Sequence, residues 1–365
     1  MKIRDITVKE LPDFIDSDLF RGSQTIPVTP ERVASQIRNP RAQPDDIVLI
    51  VAYTDDGRLA GFIGMLPDNG NSAEGPYRFA WNSCWWIDPE QGRGIALKLF
   101  YRSIQVWQGL YMITDLTPHT RKIVDYTRLF YFSTPSPGIR LQILADYSGK
   151  LNRRYRSPGF FFRMVPLIDK TVNSILNFRL KKWIRKNEIE GLGIEYMEDP
   201  DLECMSYIEK HNRDELCRRG KTEFSWIRSY PWLVTDRSVQ PAVKYPFSWE
   251  CRHTEFLVAK IHYREEIAAI AIVTNREGYF KIPYAYIEPS HENVFSFAVC
   301  KILIDKKASG LYTFRNEIMQ YIERSSLPFF HKYAAVKELA VCKNLAHKKP
   351  EKFSLQDGDG DVVFT

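Results

Sequence analysis

The pattern of apolar and polar residues predicts one series of elements twice. Ile47-Val48-Leu49-Ile50-Val51-Ala52-Tyr53 is an unbroken apolar run of strand length, Asp55-Asp56-Gly57 turns the chain, and Leu59-Ala60-Gly61-Phe62-Ile63 runs back. An Asp-Gly pair accepts the positive φ angles of a tight hairpin. About two hundred positions later Phe256-Leu257-Val258-Ala259-Lys260-Ile261 leads through Arg264-Glu265-Glu266 into Ile267-Ala268-Ala269-Ile270-Ala271-Ile272. An aromatic strand then closes on an acid and a proline in both halves, as Trp85-Trp86-Ile87-Asp88-Pro89 and as Tyr284-Ala285-Tyr286-Ile287-Glu288-Pro289. Both continue into helices of apolar period, Ile95 to Trp107 and Val294 to Ile304, and leave them through Gly109-Leu110-Tyr111 and Gly310-Leu311-Tyr312. Matching features in the same order mark an internal repeat, so the expected fold is α/β, an α+β mixed sheet present in two tandem domains. A length of 365 residues agrees, being roughly twice that of an ordinary domain.

The repeat sets the expected boundaries: a first domain at 1–150, a joining segment at 151–190, a second domain at 191–350 and a polar tail at 351–365. The join carries the sharpest charge asymmetry of the chain. Lys150, Arg153, Arg154, Arg156, Arg163, Lys170, Arg179, Lys181, Lys182, Arg185 and Lys186 stand against the single acid Asp169. With Val172, Ile175, Leu176, Phe178, Leu180, Trp183 and Ile184 the segment reads as a basic amphipathic helix. Docked on protein, such a helix buries its apolar stripe and keeps its Lys and Arg heads in water, where their field attracts anions. Contact with a membrane surface or a polyanion is the other role open to it.

Composition narrows the classes. A chain that is 44% hydrophobic and 26% charged folds rather than staying disordered. A net charge of +6 suits an anionic ligand but falls short of a nucleic-acid binder, so no nucleic-acid partner is expected. No apolar run approaches the roughly eighteen residues of a membrane span, and Met1-Lys2-Ile3-Arg4-Asp5 lacks a signal peptide's apolar core, so the expected location is cytoplasmic, without integral membrane contact. Cys84, Cys204, Cys217, Cys251, Cys300 and Cys342 form neither a CxxC pair nor a zinc spacing and are expected as reduced, structural thiols.

Candidate chemistry sits in Ile87-Asp88-Pro89-Glu90-Gln91-Gly92-Arg93-Gly94-Ile95-Ala96-Leu97, where a strand ends, a glycine-containing loop turns and a helix begins. Glycines let the main chain approach phosphate oxygens, and the N–H groups and dipole at a helix start favour an anion. A nicotinamide-nucleotide loop is disfavoured, because the third small position is Leu97 and no βαβ unit opens the chain.

Gln91-x-x-Gly94-x-Ala96 resembles the Gln/Arg-x-x-Gly-x-Gly/Ala acyl-CoA signature of the GNAT superfamily of N-acetyltransferases. The order of elements over residues 1–150 resembles that fold as well, and the repeat resembles a tandem form with a degenerate second half. One departure is a loop shorter by one residue between Pro89 and Gln91 than many members have. The resemblance implies acetyl-CoA as cosubstrate, its pyrophosphate held by the amides of Gln91, Gly92, Arg93, Gly94, Ile95 and Ala96 and its pantetheine arm paired with the strand end at Trp86 and Ile87. The implied reaction is direct acetyl transfer to an amine, without a covalent enzyme intermediate. It needs a neutral amine, a polarised thioester carbonyl and an acid for the leaving thiolate. Asp125-Tyr126-Thr127-Arg128-Leu129-Phe130 resembles the family's Leu-Tyr-x-x-Leu-Gly-Phe helix end, which makes Tyr126 the candidate acid, with core filling as its other role. Phe130 stands where the family has glycine. No carboxylate or histidine lies between Arg78 and Ile87, so Asp115 and His119 are the nearest candidate bases, with helix capping as their other role and a water chain as the remaining route.

The second half has no glycine in Pro289-Ser290-His291-Glu292-Asn293 and sets Glu292 where a pyrophosphate would be repelled, so it is not expected to bind CoA. His291 beside Glu292 reads as a capping pair rather than a ligand. Asp357-Gly358-Asp359-Gly360-Asp361 alternates carboxylates as a calcium loop does, but the closing Glu is absent, so it reads as a polar turn and no metal is expected. The partner expected is a small amine acceptor, anionic if the basic segment steers it. The alternative function is a non-catalytic acyl-CoA-binding or scaffold protein.

Overall fold

The computed structural model describes residues 1–72, 74–92, 94–148, 160–235, 244–348 and 353–364. The elements run β1 (Lys2–Thr7), α1 (Leu11–Asp16), α2 (Asp18–Arg21), α3 (Pro30–Ile37), β2 (Ile47–Tyr53), β3 (Leu59–Ser72), β4 (Gly75–Ile87), α4 (Ala96–Val106), β5 (Tyr111–Ile113), α5 (Pro118–Thr127), β6 (Phe130–Phe132) and β7 (Ser136–Gln142). They continue as α6 (Phe160–Asn187), β8 (Leu192–Met197), α7 (Leu202–His211), α8 (Lys221–Ser229), β9 (Thr254–Tyr263), β10 (Glu266–Arg276), β11 (Tyr279–Ile287), α9 (Glu292–Asp305), β12 (Gly310–Thr313), α10 (Asn316–Ser325), β13 (His331–Lys337) and β14 (Ala340–Cys342).

The chain divides into two compact units, Met1–Pro135 with Asp199–Arg252 and Lys337–Thr365, and Ser136–Glu198 with His253–Val336. Each holds a seven-stranded mixed sheet, ordered β1-β2-β3-β4-β5-β14-β6 in the first and β8-β9-β10-β11-β12-β7-β13 in the second. The two orders are the same except for an exchange. β14 enters the first sheet antiparallel to both β5 and β6, with Ala340 opposite Ile113 and Phe132, while β7 pairs with β12 in the second, Leu141 opposite Leu311. The units therefore cross the contiguous boundaries expected at 150 and 191, and 199–252 belongs with the first. The apolar pattern of a strand requires burial against a sheet but does not name the sheet.

In the first unit the sheet is buried on both faces, which is why its strands read as unbroken apolar runs. Leu49, Val51 and Phe62 enter one core with Phe14 and Val33, and Ile50, Ala52 and Ile63 enter the other with Leu99 and Phe100 of α4. In the second unit α9 fills the core with Phe295, Val299 and Leu303, and α6 adds Leu180 and Trp183, whose indole Nε1 donates to the Ser325 carbonyl at 2.8 Å. The expected single stripe of α6 is split: Leu176, Leu180 and Trp183 are buried, but Ile175 and Phe178 are 58% and 70% exposed. Their positions around the helix exceed the arc that one core can cover. Residues 150–159 of the basic segment lie outside the described residues. All six cysteines are buried thiols outside any disulfide. Among the described residues no helix is long and apolar enough to cross a membrane.

Candidate functional site

In the first unit β4 is the axis of the site. It pairs antiparallel with β3, and the register shifts where Gly64 faces Cys84 but Met65 faces Asn82, leaving Ser83 as the extra residue of a bulge. On its other edge β4 pairs with β5 only at Ala80–Tyr111 and Trp81–Met112. Beyond Trp81 the two strands part, and among the described residues the edge of β4 from Asn82 to Ile87 is left without a strand partner. Trp86 and Ile87, both half-buried, lie at the end of that edge.

The loop after β4 is built by Asp88. Its Oδ1 accepts the amides of Glu90 and Gln91 at 2.9 and 2.8 Å, and its carbonyl accepts that of Gly92 at 2.9 Å. Gly92 is packed so closely that a Cβ there would stand 2.2 Å from Ile87 Cγ2 and 2.7 Å from the Ala60 carbonyl oxygen. Gly94 is the opposite case, with φ +77° and nothing within 4 Å of a Cβ position. Ile95, buried, donates its amide to the Gly92 carbonyl at 3.1 Å and opens α4. This narrows the expected donor set: the amides of Gln91, Gly92 and Ile95 are engaged within the loop, whereas those of Gly94 and Ala96 have no acceptor among the described residues. Arg93 lies outside the described residues. The first turn of α4 contains no acid that would oppose an anion.

Asp115 follows β5 on the opposite wall of the opening and is exposed, with φ +51°. His119 is exposed in the first turn of α5. Neither caps that helix, because the Thr117 hydroxyl accepts the Thr120 amide at 3.1 Å. Tyr126 is 78% exposed. The left-handed residue that closes α5 is Arg128, at φ 56°, two positions before the Phe130 that the resemblance sets at the family's glycine.

The tail supplies what sequence reasoning missed. It is a turn, but not a solvated one: Asp359 is fully buried, and a Cβ on Gly360 would lie 3.0 Å from Thr114 Oγ1 and 3.9 Å from Trp81 Cδ2. The tail therefore sits in the fork where β4 and β5 part. Ser83 Oγ donates to Asp361 Oδ2 at 2.9 Å, and Arg32 Nη2 donates to Ser83 Oγ at 2.6 Å while lying 3.5 Å from the same carboxylate oxygen. Arg32 also donates to the Tyr245 hydroxyl and stacks over the Trp232 ring at 3.8 Å. Burial pushes the Asp361 carboxyl up to about 6, against the pull of Arg32 and Ser83, and Asp115 adds to the rise. Burial likewise raises Asp359 to about 6, opposed by Arg219 and Lys337. Asp68 goes the other way. Against the upward push of burial, Arg219 and Arg41 hold its carboxylate well below the usual range, with Arg219 bidentate at 3.0 and 2.7 Å and the Trp81 indole donating at 2.8 Å. The only sequence signals were an Arg inside the apolar period of Val33 and Ile37, and acids beside an apolar end.

The second unit repeats the frame and closes it. β11 and β12 pair from Tyr279–Gly310 to Lys281–Tyr312 and then part, with a register irregularity between Ile272 and Thr274. There Arg315 Nη2 donates to the Ala285 carbonyl at 3.0 Å and Nη1 pairs with Glu317 at 2.9 Å. The following loop is one tight turn, Pro289–His291, whose last amide bonds the Glu288 carbonyl at 2.8 Å. His291 makes no side-chain cap and packs edge-on to Tyr263, contrary to the capping pair expected. Among the described residues no group of three His, Cys, Asp or Glu side chains could hold a metal ion.

No family model matches the sequence, and no curated protein matches it. Solved structures do. A protein of unknown function from Enterococcus faecalis V583, described as a probable N-acyltransferase, matches over 96% of this chain and 75% of its own, with a TM-score of 0.51 at 9% identity. A GCN5-related N-acetyltransferase from Kribbella flavida matches over 93% and 70%, with a TM-score of 0.48 at 10% identity. One from Anabaena variabilis ATCC 29413 matches over 93% and 72%, with a TM-score of 0.47 at 11% identity. With the strand order above, the chain has the GNAT fold, in two tandem α/β halves.

Proposed function

We propose that this protein is an acyl-CoA-dependent N-acyltransferase whose acyl donor, acetyl-CoA, binds the first unit. One observation carries the reading: the unpartnered edge of β4 runs straight into a loop whose Gly94 and Ala96 amides, at the start of α4, have no acceptor among the described residues. A pyrophosphate fits such a pair of donors, and an extended amide-bearing chain fits a strand edge that ends at Trp86 and Ile87. Gly92 fixes the loop by packing and Gly94 leaves the approach open. In the second unit a tight turn stands in place of the loop and Arg315 bonds the carbonyl of Ala285 on the strand, so we assign donor binding to the first alone.

In the reaction we propose, the loop and strand edge hold the thioester in the fork, and an amine attacks its carbonyl carbon directly. The fixed position supplies most of the advantage by removing the entropy cost of encounter. The acceptor is a small amine. We assign no role to metal.

Calorimetry with acetyl-CoA and detection of released thiol across amine classes test the reading. The expected result is one acetyl-CoA bound per chain and thiol release with at least one amine. Binding without release across alkylamines, amino sugars and lysyl peptides would instead support the non-catalytic acyl-CoA binder. No binding would end both readings.

A further inference from the structure

We infer that Asp361, brought from the C-terminal tail into the fork of β4 and β5, is the base that takes the proton from the incoming amine. The inference rests on the acyltransferase reading and adds to it the group that β4 itself lacks, since no carboxylate or histidine lies between Arg78 and Ile87.

The placement carries the argument. Gly360 lies against Thr114 and Trp81, the residues at the point of divergence, so the next residue enters the opening that the strand edge borders. Ser83, the bulged residue of β4, and Arg32 of α3 both engage Oδ2. Oδ1 has no partner from another residue among the described residues, and the side chain is 19% exposed. One oxygen is thus anchored while the other faces the opening. The charged and titratable groups around it are Arg32 from α3, Cys84 and the Ser83 hydroxyl from β4, and Asp115 beyond β5. Burial raises the carboxyl to about 6, within the range where a base is ionised at neutral pH yet holds a proton well. In the second unit the residue two hundred positions beyond Asp115 is Arg315, which binds a β11 carbonyl.

The acceptor ammonium carries three protons. Asp361 Oδ1 takes one, giving a neutral amine and a carboxylic acid. The amine lone pair forms the N–C bond at the thioester carbonyl. The C–S bond then breaks with its electron pair on sulfur, the thiolate takes the second proton from nitrogen, and the third stays on the amide. Asp361 afterwards returns its proton to solvent.

The test uses the full chain, acetyl-CoA, and two kinds of acceptor. Benzylamine and glucosamine 6-phosphate arrive as ammonium ions, and aniline arrives neutral. Asp361→Asn is expected to keep acetyl-CoA affinity and melting temperature near wild type and to lose about 100-fold or more in turnover of the ammonium acceptors, the size of a general-base contribution. Aniline turnover should stay within a few-fold. The wild-type fall in kcat/KM below pH about 6 should vanish in the variant. Asp361→Glu should restore part of the rate. Equal losses with both kinds of amine, or an unchanged acid limb, would reduce Asp361 to a structural residue. Acetyl-CoA binding without turnover of any of these amines would overturn the base assignment while leaving donor binding intact; no binding to wild type would overturn the acyltransferase reading itself.

Discussion

The two units are one frame with opposite fillings. Both sheets carry a register irregularity before a fork, and both forks open after two or three parallel pairs. In the first unit the fork meets a loop with Gly92 and Gly94, an exposed Asp115 and a tail carboxylate. In the second, a tight Pro289–His291 turn replaces the loop and Arg315 bonds the carbonyl of Ala285 on the strand itself. The difference teaches that the sheet alone does not make the site we propose for acyl-CoA. The backbone fork is retained in both, and a few side chains decide whether its polar groups are offered to a ligand or satisfied within the protein.

The strongest way to break the comparison is to close the first loop. Gly94→Glu should reduce acetyl-CoA affinity more than 100-fold, because a carboxylate would occupy the phosphate approach and the left-handed backbone would be strained as well. Ser290→Glu, in the corresponding turn of the second unit, should leave affinity unchanged by calorimetry. Similar losses from both would show that the second turn also binds.

Gly92→Ala separates packing from ligand approach within one loop. Its Cβ would meet Ile87 and two backbone oxygens under 3 Å away, so a loss of about 1–3 kcal/mol in chemical denaturation is expected. Gly94→Ala should cost about 1 kcal/mol or less from backbone strain and leave acetyl-CoA affinity largely intact. Equal destabilisation by the two would contradict the contrast.

A pH series sharpens it from the protein's side. The folded value of about 6 for Asp359 lies above the ordinary 3.8, so between those values the folded state holds a proton that the unfolded state has released. Its contribution therefore makes the fold more stable as pH falls from about 7 towards 4, by at most about 1.4 kcal/mol per pH unit. Asp359→Asn should remove that slope in denaturation curves. A slope identical to wild type would mean that the tail acid titrates normally.

Tyr126→Phe has the smallest expected effect, a change in turnover under about twofold, because an exposed hydroxyl loses little when removed. A tenfold fall with unchanged acetyl-CoA affinity would support the proton-donor position that the family resemblance implies for Tyr126.

Much of this frame was legible before any coordinates. Apolar runs such as Ile47 to Tyr53 state a doubly buried strand, and the period of Ile95 to Trp107 states a helix against it. Gly92-x-Gly94 announced the loop, because glycine requirements are local. The register of α5 was less legible: the left-handed Arg128, rather than Phe130, ends the helix, and no glycine marked that position.

What the sequence alone determined was the repeated hairpin, aromatic strand and helix and the loop between the last two, since each depends on residues within a few positions of one another. Tertiary structure decided the rest. It sent β7 to the second sheet and β14 to the first, buried Asp359 and drew Asp361 against Ser83 instead of leaving the tail acids in water, and put Arg32 against Ser83 across fifty-one positions. A strand's pattern fixes that it will be covered, and an aspartate's charge fixes that burial needs partners. Which sheet and which partners are chosen depends on the packing of distant segments, which local periodicity does not encode.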